Sequence, residues 1–254
     1  MAVIAIGFLL LGGMALLYAR AGQGAWSSPV VSGDVAADLL LARFVERSRR
    51  FRETGGLLGL GVMAVRFALD RGTSVGFPGV LIYALVGSLV GSIAAEAFRF
   101  RRVATLHRAT LEPRHLDTYR DTRGDRRLAL VAVPSIVALG LAIPQHRWRV
   151  LVLGAIVALL AALRWWAGRR IVERARPVLP PSLAAADDRI RRAAIADGVG
   201  RPVAALSAFA VGAQWGSLLH VNHALDVVAV LASIAFLAAG TAWWWTTRHV
   251  GCEP

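Results

Sequence analysis

Three residues near the C-terminus stand at a spacing that can do chemistry. His220, His223 and Asp226 fall at i, i+3 and i+6, positions that drift slowly around one face of a helix and can converge. Two imidazoles and a carboxylate are suitable ligands for zinc or another transition metal, and they equally suit proton transfer. His146, in a neighbouring short segment between apolar blocks, is a candidate fourth member. The plainer reading is that the histidines decorate an interface and that Asp226 caps the helix that follows. Other chemistries lack their residues. Cys252 is the single cysteine, so no intrachain disulfide, cysteine metal site or redox pair can form. The chain has no lysine, hence no phosphate-binding glycine loop with its lysine, and neither a His-Glu-x-x-His nor a Gly-x-Ser-x-Gly motif is present. An ATP-hydrolysing subunit is thereby excluded, although such a subunit could serve as a partner. No cofactor is implied.

The elements that would position these residues are membrane helices. Of the 254 residues 56% are hydrophobic, and the mean hydropathy is +0.56. The apolar residues come in long uninterrupted blocks, not in the alternating patterns of a soluble enzyme. The blocks predict spans at 2–19, 54–70, 76–98, 128–144, 149–168, 203–219 and 225–246. Each is near the length that crosses a hydrocarbon core of about 30 Å, with internally hydrogen-bonded helices as the economical structure. The expected fold is therefore all-α: a polytopic transmembrane helical bundle of about seven spans forming one domain. The N-terminus has no basic stretch ahead of its apolar run, so residues 2–19 read as a retained helix and not as a cleaved signal peptide.

Charge orients the bundle. All 29 basic residues are arginine, and the formal net charge is +13. Such a charge can signal nucleic acid, but here the arginines sit between apolar blocks, so no nucleic-acid partner is expected. Residues 20–53 hold six of them, 99–127 nine and 169–201 eight, whereas 71–75 and 145–148 hold one each and 220–224 none. The positive-inside rule puts the three long loops in the cytoplasm, the N-terminus outside and the C-terminus inside. Trp165, Trp166 and Trp243 to Trp245 end spans, where indole rings suit the headgroup level. Anionic lipids on the cytoplasmic face are the default partner of the arginines, and a cytoplasmic or membrane protein is the sharper alternative. In the first long loop Leu40, Leu41, Phe44 and Val45 form an apolar face beside Arg43, Arg47 and Arg50. A helix there, capped by Asp34 or Ser32, either lies along the leaflet or continues into the next span; Ser182 would cap its counterpart.

Ionisable residues inside spans have nearby escapes. Arg66 has Asp70 four residues on, Glu96 stands close to Arg99, and Arg164 is expected to snorkel to the cytoplasmic surface. No acid stands at the middle of a span, which argues against a carboxylate proton relay. Gln214 either lines a pathway or bonds between helices. Small residues four apart, Gly55 and Gly59, Gly87 and Gly91, Gly212 and Gly216, allow close helix contact, within the chain or across a homodimer face. Pro78 and Pro134 each remove a backbone donor and are candidates to kink or open a helix along a substrate path.

Adding 149 to the numbering maps spans one, two and three onto five, six and seven. Pro29-Val30-Val31, Ala36-Ala37-Asp38, Leu41 and Arg43 answer to Pro177-Val178-Leu179, Ala185-Ala186-Asp187, Ile190 and Arg192, and Arg52 falls on Arg201. A 3+1+3 parallel repeat is expected, with repeat one at about 1–105, a linker span at about 128–144 and repeat two at about 149–254. The paired loop motif resembles that of uncharacterised multi-pass membrane proteins of high-GC Gram-positive bacteria. That resemblance covers most of the chain in layout and implies a plasma-membrane protein. The 3+1+3 plan is also similar in topology to SWEET sugar transporters, from which the long arginine-rich loops and the lack of a proline-glutamine span motif depart. The expected function is a non-enzymatic accessory or permease-like membrane component with cytoplasmic partners. The alternatives are a small-solute carrier with a path between the repeats, and an outward-facing metal-dependent enzyme built on His220, His223 and Asp226.

Overall fold

A computed structural model describes residues 35–69, 77–99, 119, 121–143, 147–173, 180–219 and 223–245. Among them the chain is helical throughout and contains no strand. The helices are α1 (Val35–Leu69), α2 (Phe77–Arg99), α3 (Thr122–Ala142), α4 (Trp148–Glu173), α5 (Pro181–Ala193), a π-helical turn (Ala194–Gly200), α6 (Arg201–Gly216) and α7 (His223–Trp245). Three runs are long and apolar enough to cross a membrane: Trp148–Glu173, Pro181–Gly216 and Asp226–Trp243. The segments expected at 54–70, 76–98 and 128–144 lie in α1, α2 and α3, where Ile82–Glu96 is a shorter apolar stretch. The expected span at 2–19 lies outside the described residues.

The central helix is α6, which is buried almost all round, whereas α4 and α7 present most of their length to the outside. Such enclosure needs small residues, and α6 supplies Ala204, Ala205, Ser207, Ala208, Ala210 and Gly212, all buried. Around it the usual arrangement is inverted. Leu58, Val62, Leu130, Ile136, Leu159, Leu231 and Ile234 are exposed on the periphery, while Arg164, Arg191 and Gln214 are buried. An aliphatic surface with polar groups inside fits an apolar solvent.

Local sequence explains the helix ends. Asp121 caps α3, its Oδ1 accepting the Gly124 amide at 3.0 Å. Pro180 and Pro181 open α5, because proline supplies the required φ and the first amides need no intrahelical partner. Ser182 makes no cap there, contrary to the expectation from sequence. Asp34 and Ser32 lie outside the described residues. Pro78 stands in the first turn of α2, where its missing donor breaks no helical bond, so the expected kink has no cause there. Arg147 donates to the Ser217 and Leu219 carbonyls at 2.6 and 3.0 Å, a cation on the orphan acceptors at the end of α6.

The amphipathic stretch of α1 does not lie along a leaflet. α1 runs unbroken for 35 residues, about 52 Å at 1.5 Å per residue. Leu40, Leu41, Phe44 and Val45 pack with Ile190 and Ala194 of the second long helical run. That run, α5 through α6, is also continuous over 36 residues. The arginine-bearing halves of two long helices therefore pair side by side. Exposed Arg50 and Arg49 are steadied by Glu46 and Glu53 one turn away.

α1 and α2 cross where glycine removes all bulk. A Cβ on Gly55 would run into the Gly87 carbonyl oxygen, one on Gly59 into that of Tyr83, and one on Gly91 into that of Phe51. The same construction at Gly61 meets nothing within 4 Å. At the other hairpin a Cβ on Gly212 would lie 3.2 Å from Leu237 Cγ and one on Gly216 3.4 Å from Ser233 Oγ, so these glycines admit α7. Gly59→Ala is expected to cost about 1–3 kcal/mol by overpacking, whereas Gly61→Ala should be neutral or stabilise by up to about 1 kcal/mol. Thermal unfolding of the two variants in detergent checks the contrast, and equal midpoints would contradict the crossing.

Candidate ionic centre at one end of the bundle

Among the described residues, the chemistry-bearing side chains that the fold brings together are arginines and carboxylates. Arg52 of α1, Glu96 of α2, Asp121, Asp125 and Arg127 at the start of α3, Arg164 of α4, Asp197 of the π turn and Arg201 of α6 gather at one end of the bundle. Arg164 is only 7% exposed. Its Nη2 lies 3.3 Å from Asp121 Oδ2 and 3.0 Å from Asp125 Oδ1. The expectation that this arginine snorkels outward is thus corrected: two carboxylates at the head of α3 meet it inside the bundle. Asp121 both caps α3 and neutralises α4.

Asp197 and Arg201 form the second focus. Arg201 Nε lies 2.8 Å from Asp197 Oδ1, an ion pair off the line of a hydrogen bond, since that oxygen is buried without a hydrogen-bond partner. The π turn places the two side by side: Arg201 N–H donates to Ala196 O, five residues back. Arg52 binds Ser48 Oγ at 2.7 Å in the equivalent i−4 relation, and Asp197 and Glu96 both act on its charge. Burial holds the guanidiniums of Arg52 and Arg127 below the usual arginine range, and nearby carboxylates partly offset this. Arg52, Arg127, Arg164 and Arg201 stand against Glu96, Asp121, Asp125 and Asp197, four cations to four anions, with exposed Arg123 beside Arg127. Desolvated charges persist in a bundle when they are paired in this way.

A third ion pair anchors the paired helices. Arg191, 0% exposed, holds Asp187 at 2.9 Å and donates to the Ile171 carbonyl at 2.7 Å. That carbonyl belongs to the last turn of α4, where acceptors lack intrahelical donors. Tyr119 adds the preceding loop, its hydroxyl donating to Asp188 Oδ1 at 2.8 Å.

Gln214, 0% exposed, ties three helices near the opposite end. Its Oε1 accepts from Ser135 Oγ of α3 at 2.8 Å, and its Nε2 donates to the Val150 carbonyl of α4 at 3.1 Å. Gly154 makes the room, because a Cβ there would lie 3.1 Å from Gln214 Nε2. Pro134 is interior to α3, directly before Ser135. Ser207 Oγ and Trp215 Nε1 of the same central helix are buried without hydrogen-bond partners.

The sequence-predicted metal ligands fall largely outside the described residues. His220 and His146 lie outside the described residues, and His223 begins α7 with its side chain likewise outside them. Asp226 is half-buried in the first turn of α7, inside the helix and not at its cap. Among the described residues no group of three or more His, Cys, Asp or Glu could hold a metal ion. Arg66, exposed, donates to the Tyr83 hydroxyl at 2.7 Å, and Asp70 lies outside the described residues. Sequence reasoning passed over the ionic centre, although one signal was present: the 149-residue offset superimposes Arg52 on Arg201.

Removing one partner of a buried pair leaves the other uncompensated. Arg164→Gln is expected to destabilise by about 3 kcal/mol or more. Adding Asp121→Asn, which keeps a capping side chain, should restore part of that loss, measured by unfolding in detergent as a double-mutant cycle. Gln214→Leu should cost about 1–2 kcal/mol, and Ser135→Ala added to it little more, because the two share one interaction. No protein-family model matches the chain, and no curated protein or solved structure matches it.

Proposed function

We propose that this chain is a multi-pass plasma-membrane protein of seven spans in a 3+1+3 plan, N-terminus outside and C-terminus cytoplasmic. In this reading it acts as a non-enzymatic, permease-like component that engages a cytoplasmic protein. One observation carries it. Two helical runs of 35 and 36 residues exceed the roughly 20 residues that cross a bilayer, and their surplus pairs on the arginine side. A bundle needing only an anchor has no use for a paired extension beyond the bilayer. Its outer faces carry Arg43 and Arg50 on α1 and Arg189 and Arg192 on α5, all exposed and available to an acidic protein surface. The repeat is supported by helix bounds: shifted by 149, α1 and α2 fall within three residues of Pro181–Gly216 and His223–Trp245.

The ionic centre favours a second reading, a small-solute carrier with its path between the halves. Arg52 and Glu96 come from the first half, Asp197 and Arg201 from the second, and their pairing would close the inner end of such a path.

Two outcomes are expected. Cys252 should resist a membrane-impermeant maleimide in intact cells and react after permeabilisation; labelling of intact cells would reverse the topology. Replacing Arg43, Arg50, Arg189 and Arg192 by glutamine should abolish stoichiometric co-purification of a cytoplasmic protein while the chain still reaches the membrane. A chain that purifies alone before any substitution sinks the partner reading and sends the question to solute transport in vesicles.

A further inference from the structure

The outward stripe of α4 changes character in the order of a phospholipid. Leu151, Val152, Ile156 and Leu159 are exposed along about two and a half turns, and Trp165 and Trp166 follow on the same side at 57% and 48% exposure. Arg169 and Arg170, also exposed, come one turn later. Each guanidinium lies over the indole four residues back, Arg169 over Trp165 at 5.4 Å and Arg170 over Trp166 at 5.8 Å. Burial alternates cleanly along the helix: Val157, Arg164, Ala167 and Ile171 point inward, so the stripe belongs to one outward face.

Physical chemistry assigns each tier a counterpart. Aliphatic side chains suit acyl tails, and indoles prefer the glycerol level, where one edge is apolar and the other wet. Guanidinium forks match phosphate oxygens bidentately. Four residues of helix put the arginines about 6 Å beyond the indoles, a step comparable to that from glycerol to phosphate. Stacking on the rings holds both forks at that height. Trp148 marks the other end of α4 and lies about 26 Å from Trp165 along the axis, which matches a hydrocarbon core of about 30 Å. Arg149 lies over Trp148 at 5.9 Å, while the neighbouring Arg147 donates to the Ser217 and Leu219 carbonyls. Glu173 competes for Arg169 through an exposed ion pair, whereas Arg170 lies over its indole and pairs with no carboxylate among the described residues.

We propose that Trp165, Trp166, Arg169 and Arg170 form a binding site for one anionic phospholipid of the cytoplasmic leaflet, the arginines holding its phosphodiester and the α4 stripe its acyl chains. The site rests on the membrane reading above and adds to it a ligand and a place. It is separate from the ionic centre, which faces the opposite side of α4 through Arg164.

The test is native mass spectrometry of the full chain, delipidated in mild detergent and offered equimolar phosphatidylglycerol and phosphatidylcholine. The expected result is one retained phosphatidylglycerol, favoured on the order of tenfold over phosphatidylcholine. Arg169→Gln/Arg170→Gln should remove that preference. Arg189→Gln/Arg192→Gln, with the same loss of formal charge on α5, should keep it. Millimolar inorganic phosphate should not displace the lipid, since tails and headgroup bind together; displacement would assign the arginines to a free anion and overturn the proposal. Equal retention of the two lipids, or equal loss of preference in both double variants, overturns it too. In those cases the chain still enters detergent and vesicles, so the membrane reading stands; a chain that enters neither ends both.

Discussion

A guanidinium inside a low-dielectric bundle must be neutralised where it stands, because it cannot shed its proton and cannot reach water. That constraint organises this molecule. Arg164 faces inward on α4, so α3 must begin where its cap residue, Asp121, and Asp125 can reach it. Arg201 begins the central helix, so the turn before it must carry Asp197. Arg52 and Glu96 bring the α1–α2 hairpin to the same level. Helix starts, helix ends and loop exits are thereby fixed at one height, and apolar packing fills the remainder.

From that level onward, close approach takes over from charge. The α1–α2 crossing relies on Gly55, Gly59, Gly87 and Gly91, and the α6–α7 contact on Gly212 and Gly216. Gln214 is a fully buried amide, and it bonds to both α3 and α4. The two ends of the bundle are thus held by different physics: ion pairs at one, and helix contact with hydrogen bonds and the Arg147 cap at the other.

Much of this was legible in the sequence, and what was not has physical reasons. Helix content and the long apolar blocks follow from hydropathy alone. The apolar face of Leu40, Leu41, Phe44 and Val45 was visible as a pattern, but a pattern shows that a face will be covered and not by what; the cover is Ile190 and its neighbours, about 150 residues away. The glycine spacing announced close contact, while its geometry within the chain needed coordinates. Arg164 was misread because a hydropathy window cannot see Asp121, 43 residues earlier. The helix runs through Pro202, because the π turn ahead already changes the hydrogen-bond register where proline lacks a donor.

That π turn has a consequence for symmetry. Fourteen residues separate Asp38 from Arg52 and also Asp187 from Arg201, but only the second interval contains the wider winding. A π-helix turns through fewer degrees per residue than an α-helix, so Arg201 projects at a different azimuth from Asp187 than Arg52 does from Asp38. Segments of equal length thus reach a common centre with unequal phase.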